Sequence, residues 1–159
     1  MPDIRPFTAA DVPAIKVLLA QLQAVEAAHQ PKRKSAPEVA AEEIWAEGQK
    51  MVDEGKGVVL VAEQGGVLVG VGIGYESLSG DLSLTLEARR TGYVSDLVVH
   101  EAWRSKGIGR DLLNGLLARF RARGLKTARI AAITENVGAI KLYEQMGFSQ
   151  VSVALERPL

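Results

Sequence analysis

The period of the apolar positions changes several times along the chain, and each change marks an element. From Val94 to Val99 apolar residues crowd into a short run broken by one acid, Asp96, the pattern of a buried strand. From Ile108 to Leu117 they recur at 108, 112, 113, 116 and 117, the three-and-four spacing of a helix with one buried face. Upstream, Ile4 to Phe7 alternates as a first strand, with Ile4 and Pro6 on one side and Arg5 and Phe7 on the other. Thr8 or Asp11 then caps a helix whose stripe is Val12, Ile15, Leu18, Leu19, Leu22 and Val25. A second helix is predicted from about Glu38 to Glu54. Val58–Ala62 and Val67–Tyr75 read as two strands joined by a hairpin at Gln64-Gly65-Gly66.

Gly70, Gly72 and Gly74 alternate, so they share one face of the second hairpin strand. No helix follows them, so the pattern is not a dinucleotide fingerprint. Either a ligand lies across a bare sheet face or a neighbouring element packs closely there. Leu82, Leu84 and Leu86 alternate with polar residues and suggest a further strand or a strand extension. Beyond the long helix, Thr127–Ile133 reads as a strand and Asn136–Met146 as a short helix ended by Gly147. Phe148–Leu155 alternates as a closing strand.

Composition narrows the chemistry. The 159 residues are expected to form one domain, 1–159, with 47% apolar and 24% charged residues. Nineteen basic and nineteen acidic residues cancel, so no pull toward nucleic acid or a membrane surface is implied. The chain has no cysteine, which excludes disulfides, thiolate metal sites and a cysteine nucleophile. Two separated histidines do not make a zinc site, so no metal is expected. The opening MPDIRPF does not read as a signal peptide and no apolar run is long enough for a bilayer, so a cytoplasmic protein is expected.

Against that background the turn between strand and helix stands out. Arg104-Ser105-Lys106-Gly107-Ile108-Gly109 places two glycines and two cations at a helix start, followed by Arg110. A helix N-terminus exposes unpaired N–H groups and the positive end of the helix dipole, so it favours anions. The glycines allow close approach of a phosphate to the backbone, and Arg104, Lys106 and Arg110 add charge. His29–Pro37, with two prolines and Lys32-Arg33-Lys34, is an exposed loop, either a mobile lip that touches an acceptor or a phosphate or a plain solvated linker.

Two segments together carry a family resemblance. Leu97-Val98-Val99 leading into Arg104-Ser105-Lys106-Gly107-Ile108-Gly109 is similar to the (Gln/Arg)-x-x-Gly-x-(Gly/Ala) turn of the GCN5-related N-acetyltransferases. Asn136 to Phe148, with Tyr143 and Gly147-Phe148, is similar to that family's downstream Asn…Tyr…Gly-Phe segment. The resemblance implies an α/β (α+β) fold with a mixed sheet of six to seven strands flanked by four helices, splayed beside the central strand. It implies acetyl-CoA as cofactor, bound through the strand edge at Leu97, Val98 and Val99 and through Arg104, Ser105, Lys106, Gly107, Ile108, Gly109 and Arg110, with Asn136 near the cofactor arm. Tyr143 is expected at the sulfur, as proton or hydrogen-bond donor to the departing thiolate.

The implied reaction is transfer of acetyl to the amine of a small molecule or peptide, by direct attack in a ternary complex. The acceptor pocket is expected from the first two helices, the loop at Lys32–Lys34 and the connection from Leu78 to Arg90. A homodimer is compatible with the resemblance. Many relatives carry Glu before the Asp of the central strand, where this chain has Ser95 before Asp96. Asp96 is therefore the candidate base, although strict alternation would turn it away from the Ser95 face. The same departure keeps open a catalytically silent acyl-CoA-binding regulatory module.

Overall fold

The computed structural model, which describes Met1–Leu159, holds one sheet whose five strands are neighbours in chain order. They are β1 (Asp3–Pro6), β2 (Gly57–Gln64), β3 (Val67–Leu78), β4 (Arg90–Val99) and β5 (Ala128–Ile130). The first four pair antiparallel, and β5 joins β4 in parallel, so the sheet is mixed as expected. Helices α1 (Val12–His29) and α2 (Pro37–Asp53) cover one face. Helix α4 (Ile108–Ala122) covers the other, and α5 (Val137–Gln145) follows β5. A single helical turn, α3 (Leu86–Arg89), precedes β4.

Each face has its own apolar core. Val59, Val61, Val71, Ile73 and Val98 point toward Ile15, Leu18, Leu19, Ala41 and Trp45 of α1 and α2. Val58, Leu60, Ala62, Val69 and Val94 point toward Ile108, Leu112, Leu113, Leu116 and Phe120 of α4. This division follows the period-two alternation of β2 and β3 and the helical stripes. Ile4 packs with the α4 core, whereas Phe7 meets Trp45 edge-on at 5.2 Å, so β1 also splits as its alternation predicts.

The glycine face of β3 resolves in favour of close packing. A Cβ on Gly70 would lie 3.0 Å from Leu112 Cδ1, one on Gly72 3.1 Å from Leu116 Cδ1, and one on Gly74 2.7 Å from Phe120 Cζ. Gly92 of β4 is tighter still, 2.2 Å from Phe120 Cδ2. The glycines bring α4 down onto the sheet and leave no room there for a ligand. Gly92→Ala is expected to destabilise the fold by about 1–3 kcal/mol through overpacking against Phe120. Urea unfolding should show the loss, and Phe120→Leu in the same chain should recover part of it. Equal stability of Gly92→Ala and the parent would refute this packing account.

Two expected strands are absent, so the sheet has five rather than six to seven. Phe148–Leu155 forms no strand, and Val151, Val153 and Leu155 are 72%, 66% and 92% exposed. The strand that precedes it in the chain, β5, is only three residues long and offers little edge for further pairing. The Leu82–Leu86 alternation is also overridden. Asp81 accepts hydrogen bonds from Ser83 N and Oγ, and Thr85 Oγ1 caps the turn of α3, so side chains take backbone groups a strand would need. That turn makes five helices where four were expected.

Candidate functional site

Strand β4 leaves β5 behind halfway along its length. The parallel pairing covers only Gly92, Tyr93 and Val94, opposite Ala128, Arg129 and Ile130. From Ser95 to Val99 the edge of β4 away from β3 has no strand beside it. On the β3 side Val98 faces Val71, and His100 N donates to Val69 O at 2.9 Å. Antiparallel hydrogen-bonded pairs alternate, so Val98 also directs its backbone groups to β3. Leu97 and Val99 direct theirs outward into the gap. Of the three edge residues read from sequence, Val98 instead has its side chain in the α1–α2 core, 3% exposed.

The gap opens onto the start of α4. Ser105 at φ 60° and Gly107 at φ 85° turn the chain left-handed twice. Nothing lies within 4 Å of a Cβ built on Gly107. The first bond of the helix runs from Asp111 N to Gly107 O at 3.0 Å, so the N–H groups of Ile108, Gly109 and Arg110 precede the ladder. Ile108's side chain is buried in the core, leaving only its backbone for a ligand.

Three cations surround this turn in fixed positions. Arg104 Nε donates to Val99 O at 3.2 Å, Lys106 Nζ sits 4.6 Å from the centre of the Trp103 ring, and Arg110 Nη2 donates to Gln145 Oε1 at 3.2 Å. Such an arrangement suits a bound polyanion such as a pyrophosphate. His100, expected at the surface, caps the Glu101–Trp103 turn by accepting from Ala102 N.

Helix α5 forms the opposite wall. A Cβ on Gly109 would meet Leu142 at 3.5 Å and Val99 at 3.7 Å, which shows how closely α4, α5 and β4 converge. Asn136 Oδ1 caps α5 by accepting from Ala139 N at 3.2 Å. Tyr143 packs on Phe148 with ring centres 6.1 Å apart. Burial, reinforced by the charge of Glu26, pushes the Tyr143 phenol up to about 12. It therefore keeps its proton across the working pH range.

Strand β4 departs from alternation at Ser95. Ile73 faces Asp96, Gly74 faces Val94, and Ser95 is the extra residue of a β-bulge. Val94 and Leu97 both pack with the α4 core although three positions separate them. Ser95 and Asp96 share the turn between them, and Asp96 lies on the α1–α2 face with Ile73. Strict alternation had turned Asp96 away from the Ser95 side; the bulge removes that objection.

The Ser95 hydroxyl, 3.4 Å from Ile73 O, also lies against the Asp96 carboxylate. Asp96 has no ion-pair partner within 4.0 Å. Burial holds it above the usual carboxylate range; the Ser95 hydrogen bond and Arg33 oppose this, while Glu26 adds to it.

Several residues here were not singled out individually by the sequence, Arg33 being read only as part of the Lys32–Lys34 loop. Glu26 influences both Asp96 and Tyr143, and Arg33 is paired to it at 2.8 Å. Tyr75 and Tyr93 lie 5.5 Å apart, and Tyr75 is raised by burial, then by Tyr93, Asp96 and Glu47. These side chains come from α1, α2, β3 and β4, so only the fold brings them together. Of the loop's three basic residues, Lys32 and Lys34 pair with Glu156 and Glu43 at the surface, while Arg33 turns inward.

The sequence matches the acetyltransferase (GNAT) family over residues 21–148, and the chain belongs to that family. Among curated relatives, the [ribosomal protein bS18]-alanine N-acetyltransferase of Haemophilus ducreyi is 33% identical over 58 residues, 36% of this chain and 40% of its own length. The chain matches less than half the length of each curated relative. Among solved structures, a tetramutant of the BH1408 protein of Bacillus halodurans superposes with TM-score 0.84 at 22% identity, over 99% of both chains. AAC(6')-Iy in complex with a bisubstrate analogue, CoA-S-monomethyl-acetylneamine, gives 0.74 at 16% identity, over 100% of this chain and 99% of its own. Both likenesses show the fold. No helix is long and apolar enough to cross a membrane.

Proposed function

We propose that this chain transfers acetyl from acetyl-CoA to an amine by direct attack in a ternary complex, within a single catalytic domain. The observation that carries this reading is the free edge of β4 running into the cationic start of α4, with Tyr143 on the facing wall. It supports cofactor binding because an amide-rich arm can add to the outward groups of Leu97 and Val99 as a strand would. The pyrophosphate then falls at the N–H groups of Ile108, Gly109 and Arg110, beside Arg104, Ser105, Lys106 and Gly107. Asn136 keeps the start of α5 at the rim of the same gap.

When bound, acetyl-CoA supplies an acetyl group activated as a thioester. Asp96, largely removed from water and without a counter-ion, takes the proton from the acceptor's ammonium and frees the nitrogen lone pair. Tyr143, still protonated at any working pH, donates its proton or a hydrogen bond to the sulfur as the carbon–sulfur bond breaks. With no cysteine in the chain, no acyl-thioester intermediate can form on the protein, and direct attack by the amine is the simplest route. Among the named relatives, one acts on a protein alanine and one is seen with an aminoglycoside-derived analogue, so peptide and small-molecule acceptors both belong in the test.

The test is thiol release from acetyl-CoA across a panel of amines. Release that depends on the amine supports the reading. Tight cofactor binding with no transfer to any amine would instead favour a silent acyl-CoA-binding module. The phosphate site has its own expected result. Arg104→Ala should raise the Kd for coenzyme A about tenfold by removing a charge-assisted contact, and dephospho and truncated thioester donors should report which part of the cofactor is lost. An unchanged Kd would place the pyrophosphate elsewhere.

A further inference from the structure

The tail after α5 has the pattern of a strand and no partner. Val151, Val153 and Leu155 alternate with Gln150, Ser152, Ala154 and Glu156, and all three apolar side chains are exposed. No backbone hydrogen bond is made by any residue after Phe148. The run from Ser149 to Leu155 carries no charge, so nothing in it opposes pairing with a strand edge. Within one chain the tail is held only at its ends. Phe148 packs on Tyr143, and Glu156 pairs with Lys32 of the loop after α1 at 2.5 Å. The side chains of that pair are 78% and 74% exposed, so exchanging it for another costs little.

One edge of the sheet is open as well, because β5 has a strand beside it only on the β4 side. Gly92 N donates to Thr127 O at 3.0 Å, so by alternation Ala128 and Ile130 direct their backbone groups outward. Their side chains pack with the α4 core, and Arg129 between them is exposed on the opposite face. Beside the start of β5 lies a recess of about 100 Å³, lined by Leu117, Phe120, Leu125 and Ala128 together with Arg121 and Lys126. It has room for one aliphatic side chain. Arg121, Lys126 and Arg129 are exposed and have no carboxylate within 4.0 Å.

We propose that the tail of one copy of this chain adds as an antiparallel strand to β5 of a second copy, and reciprocally. Leu155 then lies opposite Ala128 with its side chain in the recess, and Val153 lies opposite Ile130. The apolar faces of tail and β5 coincide in this register. The antiparallel direction also brings Glu156, the one acid of the tail, to the three unpaired cations. The parallel direction would carry it past the far end of β5. A three-residue edge is a short ladder by itself, and the recess supplies the apolar contact that the ladder lacks. Reciprocal exchange closes the pair about a two-fold axis and leaves no edge for further growth. The tail starts at Phe148, which packs on Tyr143, so the interface is continuous with the α5 wall of the cofactor gap. Self-association by this route requires neither acetyl-CoA nor an amine.

The test is the mass of the full chain by sedimentation equilibrium at micromolar concentrations, without cofactor. The parent should weigh twice the 17.0 kDa of one chain. Leu155→Asp, and separately Val153→Asp, should return it to the mass of one chain. Both should keep the parent's circular dichroism, because these side chains are exposed within a single copy. Val17→Asp, at another exposed apolar position on α1, should leave the dimer intact. The chain has no cysteine, so a disulfide can report the register. Arg129→Cys protein mixed with Ala154→Cys protein and then oxidised should give a linked pair of chains. These positions face each other as a non-hydrogen-bonded pair, with Cα atoms about 4.5 Å apart, within reach of a disulfide. A parent that stays at the mass of one chain, a dimer that survives both aspartates, a dimer broken by Val17→Asp, or no mixed disulfide would each overturn the inference. A bond that closes within a chain carrying both cysteines, with none in the mixture, would also overturn it and assign the tail to its own β5.

Discussion

Asp96→Asn is expected to lower kcat/KM for the preferred amine by about 10²- to 10⁴-fold, the range of a positioned proton acceptor. The asparagine keeps the size and bulge position of the side chain but cannot take the ammonium proton. The pH profile separates this from a structural loss. Burial holds the Asp96 carboxyl above the ordinary aspartate range, so the parent's rate should rise with pH through a correspondingly elevated value, and the variant should lose that limb.

Stability should move the other way. A carboxyl whose folded value exceeds its unfolded value binds its proton more tightly in the native state. That contribution is fully present below the unfolded value and is lost as pH rises through the folded one. At neutral pH Asp96→Asn should therefore melt at a higher temperature than the parent, and the difference should close in acid. A variant that retains both its rate and the rising limb would remove Asp96 from the mechanism.

Tyr143→Phe is expected to lower kcat by about 10²-fold, the low end of the same range. The phenyl ring retains the contact with Phe148, so folding should change little and the loss should report the hydroxyl. Because burial pushes Tyr143 up to about 12, the parent should show no decline in rate from this group over the neutral and moderately alkaline range. Pre-steady-state measurement of thiol release would isolate the step. A variant with the parent's single-turnover rate would show that the sulfur departs without help from this residue.

The parts of the candidate site that were legible are those built from neighbouring residues. Leu97 to Arg110 is one continuous strand, turn and helix, and glycine placement, basic charge and apolar period all lie within a few positions of each other. Asn136 and Tyr143 likewise share one short helix, and the Asn136 cap is a local hydrogen bond. Glu26 was not legible as a candidate site residue, and Arg33 was legible only as one of three basic residues in the Lys32–Lys34 loop. A half-buried carboxylate in an amphipathic helix looks the same as a solvated one until another element is placed over it.

What the sequence by itself determined is the alternation of β2 and β3, the helical stripes and the anion-favouring start of α4, because each depends on covalent spacing and backbone geometry. Tertiary structure decided the rest. It made the glycines of β3 a bed for α4, since the meaning of a missing side chain depends on what approaches it. It left Phe148–Leu155 unpaired, since a strand needs an edge as well as a pattern. The bulge at Ser95 changed the face available to Asp96, because register is a property of two strands and neither carries it alone.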